Sequence, residues 1–178
     1  MKKFSIFTLI MAFMALLALH LTLAQDQRFV DPGDGTVTDT QTGLMWAKSS
    51  SPGDITWHDA EIYCHTPAMD SLYLKYDDWR MPTIEELRTL YRKDSKGREA
   101  DCGLKIRIDP IFDVSCAWIW SGDLPPTPQS SEKGEVRKVR SVMAYVFDLG
   151  RGYQYADRMV HKKNMRALPV RGTLETTP

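Results

Sequence analysis

Asp77-Asp78-Trp79-Arg80-Met81-Pro82-Thr83-Ile84-Glu85-Glu86-Leu87 constrains this chain more than any other stretch. Thr83 and Glu86 stand in capping-box spacing, where each side chain satisfies a backbone N–H at a helix start. Pro82 keeps Met81 extended, so the chain has to turn into the helix at Thr83. Trp79 can bury a large apolar area, and the planar fork of Arg80 suits a carboxylate or several carbonyls. Asp78 is the expected partner of Arg80. Asp78, Trp79, Arg80, Pro82, Thr83 and Glu86 therefore read as a structural hub, with a ligand contact at Arg80 as the other reading.

The remaining elements arrange themselves around that start. Arg28 to Trp46 reads as a hairpin or paired short strands, with Asp34-Gly35 as a tight turn and Thr36-Val37-Thr38 of strand composition. The aspartates of Asp31-Pro32-Gly33-Asp34-Gly35 raise calcium, but the alternating ligands and closing Glu of an EF-hand loop are missing. Thr56 and Asp59 open a first helix, with Trp57, Ala60, Ile62, Tyr63 and Cys64 on its apolar side and an end near Thr66-Pro67. The second helix is predicted from Thr83 to about Arg92, with Ile84, Leu87, Leu90 and Tyr91 along one stripe. Ala117 to Ser121 is a short apolar strand suited to a sheet centre. Gly122 to Lys138 is a long exposed excursion, and Ser141 to Leu149 is the longest strand signal. Gly150 and Gly152 turn the chain into Tyr153-Gln154-Tyr155-Ala156, and a last strand covers Met165 to Arg171. The order predicts one α+β domain over 25–172 with a loose tail at 173–178. Trp46, Trp57, Trp79, Trp118 and Trp120 are expected to be mostly core.

The N-terminus speaks to compartment. Lys2 and Lys3 precede an apolar run from Phe4 to Leu23, and Thr22-Leu23-Ala24 offers the small residues of a cleavage site after Ala24. The alternative is an uncleaved anchor, since the run is nearly long enough to span a bilayer. Removing residues 1–24 takes two of the 23 basic residues and none of the 23 acidic ones, leaving a formal charge of −2. That balance argues against a nucleic-acid binder. Cys64, Cys102 and Cys116 all lie in the exported part. Cys102 and Cys116 close a short loop and are paired here, which leaves Cys64 as a free thiol. No Cys/His spacing suits a metal, and no cofactor is implied.

The motifs together resemble the Lcl C-terminal domain family, named after the Legionella collagen-like adhesin. The resemblance rests on Asp34-Gly35-Thr36-Val37-Thr38-Asp39 with Thr42-Gly43-Leu44-Met45-Trp46, and on Trp57, Asp59 and Ala60 with Tyr63-Cys64. It continues through Asp78 to Thr83 with Glu86-Leu87, Asp109-Pro110 with Phe112, Trp120-Ser121, Val146-Phe147 and Val170-Arg171-Gly172. It spans about Arg28 to Gly172. It implies a C-type-lectin-like α+β fold, two helices packed on a twisted antiparallel sheet with long loops, in an exported bacterial protein. The namesake binds sulfated glycosaminoglycans. Where the family often carries a cysteine just before Val-Arg-Gly, this chain has Pro169, in line with an unpaired Cys64. Trp57 to Ala60, Tyr63-Cys64, Arg80 to Thr83 and Glu86 are also similar to the formylglycine-generating sulfatase-modifying enzymes. Their late pair of copper-binding cysteines has no counterpart after Cys116.

Three function classes follow. The first is an adhesion-type binding module of the periplasm or cell surface, its partner an envelope or extracellular polysaccharide or a protein. Its ligand residues would be Lys133, Arg137, Lys138 and Arg140 in one basic cluster and Arg158, His161, Lys162, Lys163 and Arg166 in another. Tyr153 or Tyr155 would stack on a sugar ring. The second is catalysis, with Asp77, Asp78, Glu85, Glu86 and His58 as acid/base candidates but no nucleophile motif; no enzyme is the expectation. The third is a structural envelope component that self-associates through Cys64 or an exposed edge. No membrane span is expected after cleavage.

Overall fold

The computed structural model describes residues 27–65, 76–126, 130–132, 135–137 and 141–174, with side-chain placement left out for 130–132 and 135–137. Residues 1–24, read above as a leader, fall outside these residues, as do Lys133, Lys138, Arg140 and the side chain of Arg137. No helix among the described residues is long and apolar enough to cross a membrane.

The described residues form two four-stranded sheets and two small ribbons. β1 (Phe29–Val30), β2 (Thr36–Asp39), β3 (Met45–Ala47) and β12 (Val170–Arg171) make an antiparallel sheet in that order. β10 (Tyr153–Arg158), β9 (Met143–Asp148), β6 (Trp118–Trp120) and β11 (Met165–Arg166) make the second. Its pairings are antiparallel except β11 with β6. β4 (Arg98–Glu99) pairs with β5 (Lys105–Ile106), and β7 (Ser130–Glu132) with β8 (Glu135–Arg137). With helices α1 (Trp57–His65) and α2 (Ile84–Leu90), this is an α+β fold with long loops.

The helices take opposite faces of the second sheet. Alternation along β6 and β9 sends Trp120, Ala144 and Val146 to one side, where Trp57, Ala60 and Cys64 of α1 pack with them. Ile119 and Phe147 go to the other side and join Ile84, Leu87 and Leu90 of α2 in the larger core with Val37, Trp46, Phe112 and Leu168. Trp46, Trp57, Trp79 and Trp120 are buried, and Trp118 is half-exposed. β6 is an interior strand, as its apolar composition implied.

Three sequence expectations are corrected. The last strand is not continuous: Ala167, Leu168 and Pro169 carry the chain from the second sheet to the first. Within this link the Ala167 and Pro169 carbonyls accept the Ser51 and Ala47 N–H groups, so the backbone stays paired while it changes sheets. The second helix stops at Leu90, because Tyr91 turns extended (ψ 129°) and the Arg92 N–H bonds the Arg107 carbonyl. Asp78 does not pair with Arg80. It accepts from Arg171 Nε at 2.7 Å, and Arg80 grips Glu86 instead.

That grip is the densest polar knot in the fold. Arg80 donates to both oxygens of Glu86, at 2.8 and 2.6 Å. The same carboxylate accepts the Thr83 N–H at 2.8 Å, while Thr83 Oγ1 accepts the Glu86 N–H at 3.2 Å. Arg80 also reaches the Gly172 carbonyl, and its backbone exchanges two hydrogen bonds with Val170. Burial pushes the Glu86 carboxyl up, but Arg80 and the Thr83 N–H more than offset this and hold it below its ordinary value. Asp39 is similar: buried, yet held low by Arg28 and Thr42.

Since both carboxyls titrate lower in the folded state, the stability they add is complete above about pH 5 and is lost as pH falls below about 4. Glu86→Gln is expected to cost about 2 kcal/mol at pH 7 and to flatten the acid limb of stability against pH. Chemical denaturation at several pH values checks this; an unchanged acid limb contradicts it.

Candidate functional site

The Cys102–Cys116 disulfide cross-links the loop before β5 to the segment entering β6. Against this pinned pair of segments folds the β9–β10 turn. Gly150 comes so close that a Cβ there would stand 2.2 Å from the Lys105 carbonyl oxygen, so no other residue fits. Gly152, at φ 76°, lies equally tight on the Tyr91 ring.

Asp148 holds the turn. Its Oδ1 accepts the Gly150 and Arg151 N–H groups at 2.7 and 3.1 Å, and its Oδ2 accepts the Trp118 indole N–H at 3.3 Å. Between the three segments lies a cleft of about 260 Å³ lined by Lys105, Arg107, Trp118, Asp148, Gly150 and Arg151, among others. Three basic residues thus share the cleft with one carboxylate whose two oxygens both accept hydrogen bonds from the protein.

The rings continue outward from the cleft. Trp118 meets Tyr155 edge to face at 6.2 Å between centroids, and Tyr155 lies 6.0 Å from Tyr153. The strand register explains the row: Tyr153 opposes Asp148 and Asp148 opposes Trp118, so alternation puts Tyr153, Tyr155 and Trp118 on one face. Arg151 Nη1 reaches the Tyr153 hydroxyl at 3.3 Å. Burial, with the Asp157 and Asp148 charges, pushes the Tyr155 phenol up, so it stays a neutral donor.

Arg107 is the unusual member. Its Nη1 donates to the Tyr91 hydroxyl at 3.4 Å, while its buried Nε–H has no hydrogen-bond partner among the described residues. A buried N–H left so costs about 1–3 kcal/mol.

A model of the Lcl C-terminal domain matches residues 35–171, taking in every element from β2 to β12. The chain belongs to the Lcl C-terminal domain family. No curated protein matches the chain.

On this Lcl domain the basic residues singled out from sequence have different fates. Arg166 is a correction. It is buried, with Nη1 on Asp54 and Nε on the Ser115 hydroxyl, both at 2.7 Å. The parallel pairing of β11 with β6 turns it inward, where it anchors the loop before α1. Arg158 is exposed at the end of β10, Lys162 and Lys163 are exposed on the turn beyond it, and His161 Nδ1 lies 2.7 Å from Asp157. The Lys133 cluster lies outside the described side chains.

Lys105, Arg107, Trp118 and Arg151 were missed as site residues because the cleft draws on three separated segments. One signal was present: Gly150-Arg151-Gly152 puts a cation in a tight turn directly before Tyr153. Of the acid/base candidates, Asp78 and Glu86 are tied up in ion pairs. Asp31, in the loop that raised calcium, accepts from Lys48 and the Gly33 N–H. Among the described residues no three His, Cys, Asp or Glu side chains gather for a metal.

Two outcomes follow. Gly150→Ala is expected to lower stability by about 2–3 kcal/mol, read as a drop in unfolding midpoint, because the turn has to leave Lys105. Cys64 is buried and free, and burial pushes its thiol up. It is expected to resist alkylation in the native protein and to react at once in denaturant. Fast native labelling contradicts the burial.

Proposed function

We propose that this Lcl domain is an exported, adhesin-type binding module that holds an anionic polysaccharide at the β9–β10 turn. The carrying observation is the continuous Trp118–Tyr155–Tyr153 row leading into a cleft walled by Lys105, Arg107 and Arg151. Aromatic rings offer apolar faces to pyranose C–H groups, while Arg and Lys supply charge-assisted hydrogen bonds to anionic substituents. Two sheets, the disulfide and the Asp148 bonds hold these groups in place, so little ordering is spent on binding.

Export is supported by the disulfide together with the leader-like residues 1–24. For the oxidase-like alternative, the residues that thiol chemistry would use are committed: Cys102 and Cys116 to each other, and Cys64 to the α1 core.

The test is binding of purified residues 25–178 to immobilised heparin across a salt series. Saturable binding that weakens with salt is expected. The Lys105→Glu/Arg151→Glu pair is expected to weaken it at least about tenfold, and the Lys162→Glu/Lys163→Glu pair by no more than about twofold. No binding of any anionic glycan at low salt contradicts the proposal.

A further inference from the structure

We infer that the outer edge of β10 is an interaction surface for a second copy of this chain, the two β10 strands pairing antiparallel about a two-fold axis at Tyr155.

The ladder decides which backbone groups that edge offers. The Tyr145 carbonyl accepts the Ser121 N–H at 3.0 Å, and the Leu149 N–H donates to the Ala117 carbonyl at 2.8 Å. Odd-numbered positions along β9 therefore turn their groups toward β6, and the alternate ones face the other neighbour. Ala144, Val146 and Asp148 thus bond β10, opposite Asp157, Tyr155 and Tyr153. The Met159 N–H continues the series by donating to the Val142 carbonyl at 3.0 Å. The N–H and C=O groups of Gln154, Ala156 and Arg158 are left pointing away from the sheet.

Arg158 is closed on both counts. Its N–H donates to Asp157 Oδ1 at 2.7 Å, and its carbonyl accepts the His161 N–H at 2.8 Å. Gln154 and Ala156 are open. Both residues are exposed, and among the described residues no strand pairs beyond β10 and no backbone bond reaches them from outside. The far edge of the same sheet differs, because there the Ile55 and Ser51 N–H groups bond the Met165 and Ala167 carbonyls. β10 is six residues long and holds neither the proline nor the lysine that keep such edges apart.

A copy of β10 fits this edge by symmetry. With Tyr155 opposite its own copy, Gln154 lies opposite Ala156 of the second chain, and Ala156 opposite its Gln154. Every open group then has a partner. Sliding the pairing by one step brings in Arg158 or Gly152, whose N–H groups are already taken by Asp157 and by the Asp148 carbonyl. On one face Tyr155 packs beside its copy and Tyr153 opposes Asp157, so no like charges meet. Because this two-fold keeps the same face up in both chains, the two aromatic rows join at Tyr155. The pairing itself does not depend on glycan binding. A short strand edge offers less than the roughly 800 Å² per partner of a standard interface, so the dimer is weak and forms at about 0.1 mM and above.

The experiment is sedimentation of purified residues 25–178 from about 10 µM to about 1 mM, with amide spectra over the same series. A reversible dimer is expected, with the Gln154 and Ala156 amide signals moving with concentration. Ala156→Pro removes an outward N–H and leaves the ladder to β9 whole, so a folded monomer is expected throughout. Should that variant unfold, two variants at exposed positions decide. Gln154→Lys/Ala156→Lys sets lysine opposite lysine across the two-fold and is expected to weaken association at least about tenfold. Gln154→Glu/Ala156→Lys sets opposite charges there and is expected to dimerise at least as well as the parent at low salt, with the gain lost by about 0.5 M salt. A parent chain that stays monomeric at about 1 mM, which would leave the edge to an unrelated extended peptide, overturns the inference. So does a dimer indifferent to Ala156→Pro and to both charge variants.

Discussion

Everything in this fold hangs from the Glu86 carboxylate. A nearly buried charge is costly unless each of its oxygens is met, and here two donors of Arg80 and the Thr83 N–H meet them. The bond to Thr83 starts α2, whose apolar stripe then covers one face of the second sheet. The grip on Arg80 orients the strand-like residue that exchanges backbone bonds with Val170, in the last strand of the first sheet. One ion pair thus joins the helix to the last strand, which pairs with β3 in the first sheet. Asp123 adds to the same corner by accepting the Ile84 N–H at 2.7 Å, which ties the loop after β6 to the helix start.

From that corner the cleft is a consequence of packing. Tyr91 leaves α2 in an extended conformation, packs on Phe147 at 6.5 Å, and takes one edge of the Arg107 guanidinium. The disulfide fixes the neighbouring segments, and the close approach of Gly150 to Lys105 brings the β9–β10 turn over them. The rings at the cleft's edge need no separate support, because strand alternation already places Trp118, Tyr155 and Tyr153 on one face. The rigidity of two packed sheets is passed to three cations, Lys105 on β5 and Arg107 and Arg151 in the segments that follow β5 and β9.

Local chemistry was legible in the sequence, and long-range partner choice was not. The capping box at Thr83 and Glu86 could be read because its members are three residues apart and its geometry is local. The Asp78–Arg80 pairing failed because other partners took both residues: Arg171, 93 positions away, takes Asp78, and Glu86, already held by the capping box, meets Arg80 with both oxygens. Arg166 looked like a surface cation because basic residues cluster around it; only the parallel register with β6 shows that its side chain points inward. The break at Ala167 to Pro169 was hidden by continuous strand composition, since an extended link and a strand read alike. The cleft was invisible for a related reason. Residues 104–107, 117–118 and 148–151 become neighbours only through a disulfide, a sheet register and a glycine contact, and none of these is a local pattern.

On the proposed function, ligand enters at the cleft and not at the turn beyond β10. Five indole N–H groups make this directly observable by nuclear magnetic resonance. Those of Trp57 and Trp120 bond the Ser121 and Ile55 carbonyls away from the cleft, whereas that of Trp118 bonds Asp148 in its wall. Titration with an anionic oligosaccharide is predicted to shift the Trp118 indole signal progressively and to leave those of Trp57 and Trp120 in place. Saturable binding with a stationary Trp118 signal would contradict the account and move the site elsewhere on the molecule.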